Sequence, residues 1–590
     1  MLLQALVDYY ELLEKENKAV KIGFGKENVS YALDINKDGR LLAVINLKEE
    51  GKGKKLKPVA MTVPERVGRA SAVSPNFLCD NSSYVLGFDK KGKPERTKEC
   101  FYSFKKLHKV ILKNVDHIEA QAVISFLDKW DTETAMEHEL FQEHLEDILK
   151  GGNFVFRYDR KNLIHENEDI KKAWIEYKNN CDEKDKNQCL VTGKRTEIAR
   201  LHPIIKGIYK GQAMGNQLVS FNAEAYESYG KKQGQNAPTG EYAVFAYGTA
   251  LNALLADERH RMVLGDTTVV FWAETVSTQT IQNMNQLLSG NGDAQQGEMN
   301  RIKDEITVNE IGAILKKISK GKQILYDEPI FQDDTKVYIA GLSPNAARIS
   351  VRFFIQDSFG QLSKKVLKHY QDMAIQKKFI KDMDSIPIWR IISETVPSNS
   401  KDKNPSPLLA GSIFRAILTG REYPANLYQT ILNRINAEHD VTHVKAAVIK
   451  AYLTRKYENN DSVREVLTMG LNKESCNKGY LLGRLFATLE KVQRDANPGL
   501  KSTIAEKYLS SACATPAKIF PFLLNLSNNH MAKLDYGIKY KKLIAEILDK
   551  IEPENVFPSN FTPDQQGNFY LGYYHQNNEN FKKKEVEEYA

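Results

Sequence analysis

Cysteine is scarce and poorly placed for chemistry. The six in 590 residues, Cys79, Cys100, Cys181, Cys189, Cys476 and Cys513, fall at irregular spacings. No CxxC occurs, which removes the standard zinc-ribbon and thioredoxin motifs, and six thiols in so long a chain make a poor disulfide framework. Free thiols in a reducing cytosol are expected. Long apolar runs are also missing, so no bilayer-spanning helix and no membrane partner are expected. The opening Met1-Leu2-Leu3-Gln4-Ala5-Leu6 lacks the basic flank and cleavage site of a secretion signal. A cytoplasmic protein is the expectation.

Catalytic signatures are equally sparse. Neither GxSxG nor HExxH occurs. Gly87-Phe-Asp-Lys-Lys-Gly92-Lys93 approaches a phosphate-binding loop, but Pro94 stands where a Ser or Thr must reach magnesium; a solvated hairpin tip is the simpler reading. Asp257-Glu258-Arg259-His260 looks like a helicase acidic box with no phosphate loop to serve, so a polar helix end is preferred. His439 and His443, four apart, share a helix face beside Asp440, and a metal-dependent nuclease is one alternative. Carboxylates beyond Glu438 are few there, and a solvated helix start suffices. Cys181, Cys189 and His202 match no standard zinc spacing. The expectation is a protein without cofactor or metal that is not an enzyme.

What is present is an ordinary soluble composition, 42% apolar and 27% charged, with a net charge of +8. The length calls for two to four domains. The first 15 residues read as an amphipathic helix. Two short apolar runs around Asn36-Lys-Asp38-Gly39 read as a hairpin. A helical pattern from about 105 to 150 stops at Gly151-Gly152. Strands are expected near 154–156, 267–272 and 349–355, the last with Ile349, Val351, Phe353 and Ile355 on one buried face. Helices are expected over 241–256 and 361–380. The polar, proline-punctuated segment 397–407 reads as a linker, and nearly everything from 408 to 550 reads as helix. The fold class is therefore α+β, with mixed α/β N-terminal and middle regions (1–115 and 116–396) followed by a C-terminal helical bundle (408–590).

The binding-type features are stronger. Lys48 to Arg69 holds seven basic and three acidic residues. Lys52, Lys54, Lys55, Lys57, Arg66 and Arg69 on a glycine-containing stretch suit a phosphate backbone. Ser71, Asn76 and Asn81 follow, with side chains of the kind that read base edges, although turn-forming Asn and Ser explain them as well. A second polar, glycine-rich stretch from Gly207 to Gly240 carries Lys210, Gln212 and Asn216.

Six segments carry a resemblance over nearly the whole chain: Leu2-Leu-Gln-Ala-Leu-Val-Asp-Tyr-Tyr10; Pro75-Asn-Phe-Leu-Cys-Asp-Asn81 into Tyr84-Val-Leu-Gly87; Cys189-Leu-Val-Thr-Gly193 with Leu201-His-Pro-Ile-Ile-Lys-Gly207; Leu218-Val-Ser-Phe-Asn222 through Gly230; Gly265-Asp-Thr-Thr-Val-Val-Phe-Trp-Ala-Glu274; and Gly479-Tyr-Leu-Leu-Gly-Arg-Leu-Phe486. In this order they resemble the Csd-type large subunit of the type I-C CRISPR interference complex, Cascade. The resemblance implies a non-catalytic subunit that reads the PAM in double-stranded DNA, promotes duplex opening and R-loop formation, and holds the displaced strand. It implies crRNA, the backbone and crRNA-processing subunits and a helicase-nuclease as partners. It also implies a small helical subunit made from an internal start in the same reading frame, for which Met469 is the candidate. A scaffold subunit without DNA contact is the other alternative.

Overall fold

A computed structural model of the chain describes residues 1–50, 56–66, 73–90, 93–179, 186–289, 314–318, 320–322, 329–400, 405–458 and 460–582. The fold is α+β with a C-terminal helical region. It divides into two compact units, one of residues 3–203 and 220–251, the other of residues 204–219 and 252–590.

The first unit is built on a sheet whose central strand is Phe24–Ile35. Leu41–Asn46 pairs antiparallel with its second half, Val59–Pro64 antiparallel with its first half, and Asn153–Tyr158 parallel along its other edge. The expected hairpin joins the first pair. Asn36 Oδ1 accepts the N–H groups of Asp38 at 3.1 Å and Arg40 at 2.9 Å, and Gly39 takes φ +76°. A Cβ on Gly39 would lie 2.2 Å from the amide nitrogen of Phe126, so the turn also fixes how closely helix Ile118–Lys129 approaches. The 105–150 stretch is several helices rather than one, Pro94–Leu112, Ile118–Lys129 and Leu145–Leu149 with short 3-10 turns between. Their apolar faces bury Phe101, Phe104, Ile111, Val123 and Phe126 with Phe154 and Phe156 of the sheet.

The second unit holds a sheet in the order Ile204–Ile205, Asn216–Gln217, Arg348–Ser358, Lys336–Asn345, Thr267–Ala273, Arg261–Leu264. The expected single buried face on 349–355 is broken. The register shifts between Gly341 and Leu342, which oppose Phe353 and Val351 and leave Arg352 as the extra residue. Beside this bulge Val351 is 43% exposed while Phe353 is buried. Helix Phe359–Met373 follows directly, capped by Ser358, and ends earlier than the sequence pattern suggests.

One apolar core runs from Leu264 to Tyr574. Residues on both sides of 397–407 belong to it. Toward the C-terminus helices Lys478–Ala496 and Pro563–Phe581 pack at very short range. A Cβ on Gly483 would fall 2.0 Å from the carbonyl oxygen of Phe569, and one on Gly572 2.1 Å from that of Tyr480.

Candidate nucleic-acid interface

The N-terminal candidates separate by burial. Lys52, Lys54, Lys55, Arg69 and Ser71 lie outside the described residues. Lys57 is exposed, on the short strand Leu56–Lys57 opposite Glu49. Arg66 reaches Glu27 at 3.1 Å, an exposed pair of small energetic weight that leaves the guanidinium accessible. Lys48, from the same basic block, is committed elsewhere. It ion-pairs with Asp147, which also accepts the Tyr31 hydroxyl. Hydrogen bonds from Lys48 and Tyr31 hold the Asp147 carboxyl below its usual range.

Asn76 and Asn81 do not stand ready for base edges. Asn76 is 1% exposed, and its backbone N–H donates to Asp80 Oδ2 at 2.9 Å. Asp80, itself buried, also accepts the N–H of Asn81 at 2.8 Å. Asn81 Oδ1 accepts the Ser83 N–H and caps helix Ser82–Val85. The segment that reads as a polar loop is thus packed around a buried carboxylate, with Phe77 and Leu78 in the core.

The second stretch behaves differently. Ile205 and Ile208 anchor it in the core of the second unit. Asn216, 1% exposed, donates from Nδ2 to the Ala346 carbonyl at 2.8 Å and accepts the Gln212 N–H at Oδ1 at 3.1 Å. The Tyr209 N–H donates to Thr268 Oγ1 at 2.9 Å. This bracing turns the tip outward: Lys206, Tyr209, Lys210 and Gln212 are exposed. Lys210 takes φ +57°, and its ammonium lies 5.4 Å from the Tyr209 ring centroid. Asn216 therefore positions the tip, while Lys210 and Gln212 are available for contact. A cation beside an exposed aromatic ring, held on an ordered turn, is the combination that pairs with phosphate and stacks on a base. Tyr209 escaped the sequence reading, although its place beside Lys210 is the signal that would have found it.

The metal-type candidates resolve into packing roles. His439 caps helix Ala425–Glu438 in the left-handed conformation, its Nδ1 3.2 Å from Ser510 Oγ. His443 is buried at the start of the next helix, with Nε2 3.3 Å from the Ile375 carbonyl, and burial lowers its pKa. Burial raises the Glu438 carboxyl, but hydrogen bonds from Lys445 and Arg434 outweigh this and bring it to about 2. Cys189 is buried, with Sγ accepting the Thr192 N–H at 3.4 Å; His202 Nδ1 lies 2.6 Å from the Tyr247 hydroxyl. Cys181 lies outside the described residues. Among the described residues no group of three His, Cys, Asp or Glu side chains is placed to hold a metal. Among them, too, no helix is long and apolar enough to cross a membrane.

Residues 6–581 match the family described as CRISPR-associated protein (Cas_Csd1). No curated protein matches the chain.

Proposed function

The chain belongs to the CRISPR-associated Cas_Csd1 family, and from that premise we propose that it is the large, non-catalytic subunit of a crRNA-guided type I-C Cascade. In this reading it recognises the PAM in double-stranded DNA, helps open the duplex there, holds the displaced strand and helps recruit the helicase-nuclease. Its partners are crRNA, the backbone and crRNA-processing subunits and the small helical subunit, and it works in the cytoplasm. Base pairing with the guide then reads the rest of the target.

The observation that carries the DNA-contact part is the braced tip at 209–212, where Tyr209, Lys210 and Gln212 face solvent from a turn that Asn216 holds. Exposed Lys57 and Arg66 support a second phosphate-contacting surface in the N-terminal basic stretch, together with Lys52, Lys54, Lys55, Arg69 and Ser71. Asn76 and Asn216 leave the contact set because their side chains are buried.

The test uses the complex assembled with crRNA and a duplex with or without the PAM. Lys54→Ala/Lys55→Ala is expected to weaken binding to both duplexes and to flatten the salt dependence by about one unit for each phosphate that is no longer neutralised. Assembly with crRNA is expected to be unaffected. Charge reversal throughout 52–69 combined with Lys210→Glu/Gln212→Glu, with DNA affinity and salt slope still unchanged, would overturn this reading in favour of a scaffold without DNA contact.

A further inference from the structure

A cleft of about 820 Å³ opens in the second unit beside helices Phe359–Met373 and His443–Lys456. Its size falls in the range of small-ligand sites, and its lining is cationic. Lys364, Lys365 and Lys368 come from the first helix, Lys450 from the second, and Arg464 from the end of the short helix Asp461–Arg464 beyond it. Two carboxylates share the lining, and both are engaged: Glu458 pairs with Lys368, and Asp372 Oδ2 accepts Arg455 Nε at 2.8 Å. Lys365 is paired with Asp357. Lys364 has no carboxylate within ion-pair distance among the described residues.

Lys450 decides what such a cleft is for. It is 7% exposed and still lines the cavity. Its ammonium has three N–H donors, and the acceptor provided for them among the described residues is the Asp372 carbonyl oxygen at 3.0 Å. Burial lowers its pKa to about 8, with the Asp372 charge opposing the shift. A buried ammonium with donors to spare is costly unless an anion completes its shell, and the opening beside it is large enough to admit one.

We propose that this cleft binds phosphate groups, with Lys450 at the floor and Lys364 and Arg464 at the rim. The ligand is a chain of phosphates, supplied either by a free nucleotide or by the backbone of a single strand. The site is separate in sequence from the tip at 209–212, and its proposal does not depend on the DNA reading above.

The test is calorimetric, on the full chain, with three probes: inorganic pyrophosphate, ATP and a short thymidine oligonucleotide. The variants are Lys450→Met and the rim pair Lys364→Glu/Arg464→Glu. Lys541→Glu/Lys542→Glu, exposed positions on another helix of the same unit, makes the same change in net charge. The wild type is expected to bind at least one probe. Lys450→Met and the rim pair should each weaken that binding about tenfold or more, the weight of one charge-assisted hydrogen bond, while the remote pair leaves it nearly unchanged. Binding of pyrophosphate and ATP that the oligonucleotide displaces identifies a site open to free phosphate chains. Binding of the oligonucleotide alone, still sensitive to the rim pair, identifies a strand path. If Lys450→Met impairs folding, the rim pair carries the result. Absence of binding for all three probes overturns the proposal, as does an equal loss with the remote pair.

Discussion

His108 accepts the backbone N–H of Leu78 at Nε2, 2.9 Å away, while its Nδ1 lies 2.8 Å from the Phe104 carbonyl. The ring must donate at Nδ1 and accept at Nε2, so these two bonds select one neutral tautomer. Leu78 is held at φ +54°, an uncommon conformation for a non-glycine residue. The pair thereby locks residues 75–81 into the first unit.

Burial lowers the His108 pKa to about 4, with the Phe104 carbonyl opposing the shift. The ring is neutral when folded and protonates near 6.5 when unfolded. Its contribution is therefore present above pH 6.5 and is lost as pH falls from 6.5 toward 4, by about 1.4 kcal/mol per pH unit for one such group. Burial lowers His165 and His202 to about 4 as well, so their losses add over the same window. The thermal midpoint should be flat above pH 7 and fall steeply below 6.5. His108→Gln should lower stability at pH 7.5 by about 1–3 kcal/mol, the cost of disturbing a buried donor, and reduce the acid slope by one proton. Unfolding followed from pH 4.5 to 8 checks both.

Helix pairing at the C-terminus gives a sharper stability prediction. Gly483→Ala places a methyl group 2.0 Å from the Phe569 carbonyl oxygen, which forces the two helices apart and should cost about 1–3 kcal/mol. Gly411→Ala, inside helix Pro407–Thr419 with nothing within 4 Å of its Cβ, should stabilise by about 0.5–1 kcal/mol. Urea midpoints of the two variants should move in opposite directions.

The regular elements were legible because their patterns are local. Helix Glu241–Ala256 and strand Thr267–Ala273 appear where periodicity places them, and the Asn36–Gly39 hairpin follows from turn chemistry alone. The misreadings came from long-range partners. Pro75-Asn-Phe-Leu-Cys-Asp-Asn81 has the letters of a loop, but buried Asp80 supplies acceptors to two of its N–H groups, and His108, thirty positions on, takes a third. Val351 reads as part of the buried face because a bulge opposite Gly341 leaves no mark in its own strand. Lys450 carries a signal, a lone cation within Ala446-Ala-Val-Ile-Lys-Ala.

Bracing and contact should separate by mutation at the 209–216 turn. Lys210→Ala/Gln212→Ala removes exposed side chains and should leave the stability within about 0.5 kcal/mol of wild type while weakening target binding. Asn216→Ala removes a buried amide bonded to Ala346 and should cost about 1–2 kcal/mol in addition to weakening binding. Thermal unfolding and duplex binding of the two variants, measured side by side, check this. Equal loss of stability in both would show that the tip is part of the packing.

The internal start predicted at Met469 has a structural setting in which it can be tested. The chain from Met469 to Ala590 contains helices Lys478–Ala496, Ile504–Ala514, Pro516–Met531, Gly537–Asp549 and Pro563–Phe581, and its first and last helices pack on each other. In the full chain the last helix also leans on earlier residues: the Tyr574 hydroxyl donates to the Gln376 carbonyl at 2.7 Å, and Tyr428 donates to the Pro563 carbonyl at 3.0 Å. A fragment starting at Met469 lacks both bonds and exposes the apolar surface around Tyr570 and Tyr574, so it should be recovered bound to the complex rather than free. Mass spectrometry of a complex purified through a C-terminal tag should find a species beginning at Met469. Met469→Leu should abolish it while leaving the full-length chain intact, because a leucine of similar volume fits the same position. Absence of the species in the wild-type complex removes Met469 as a start.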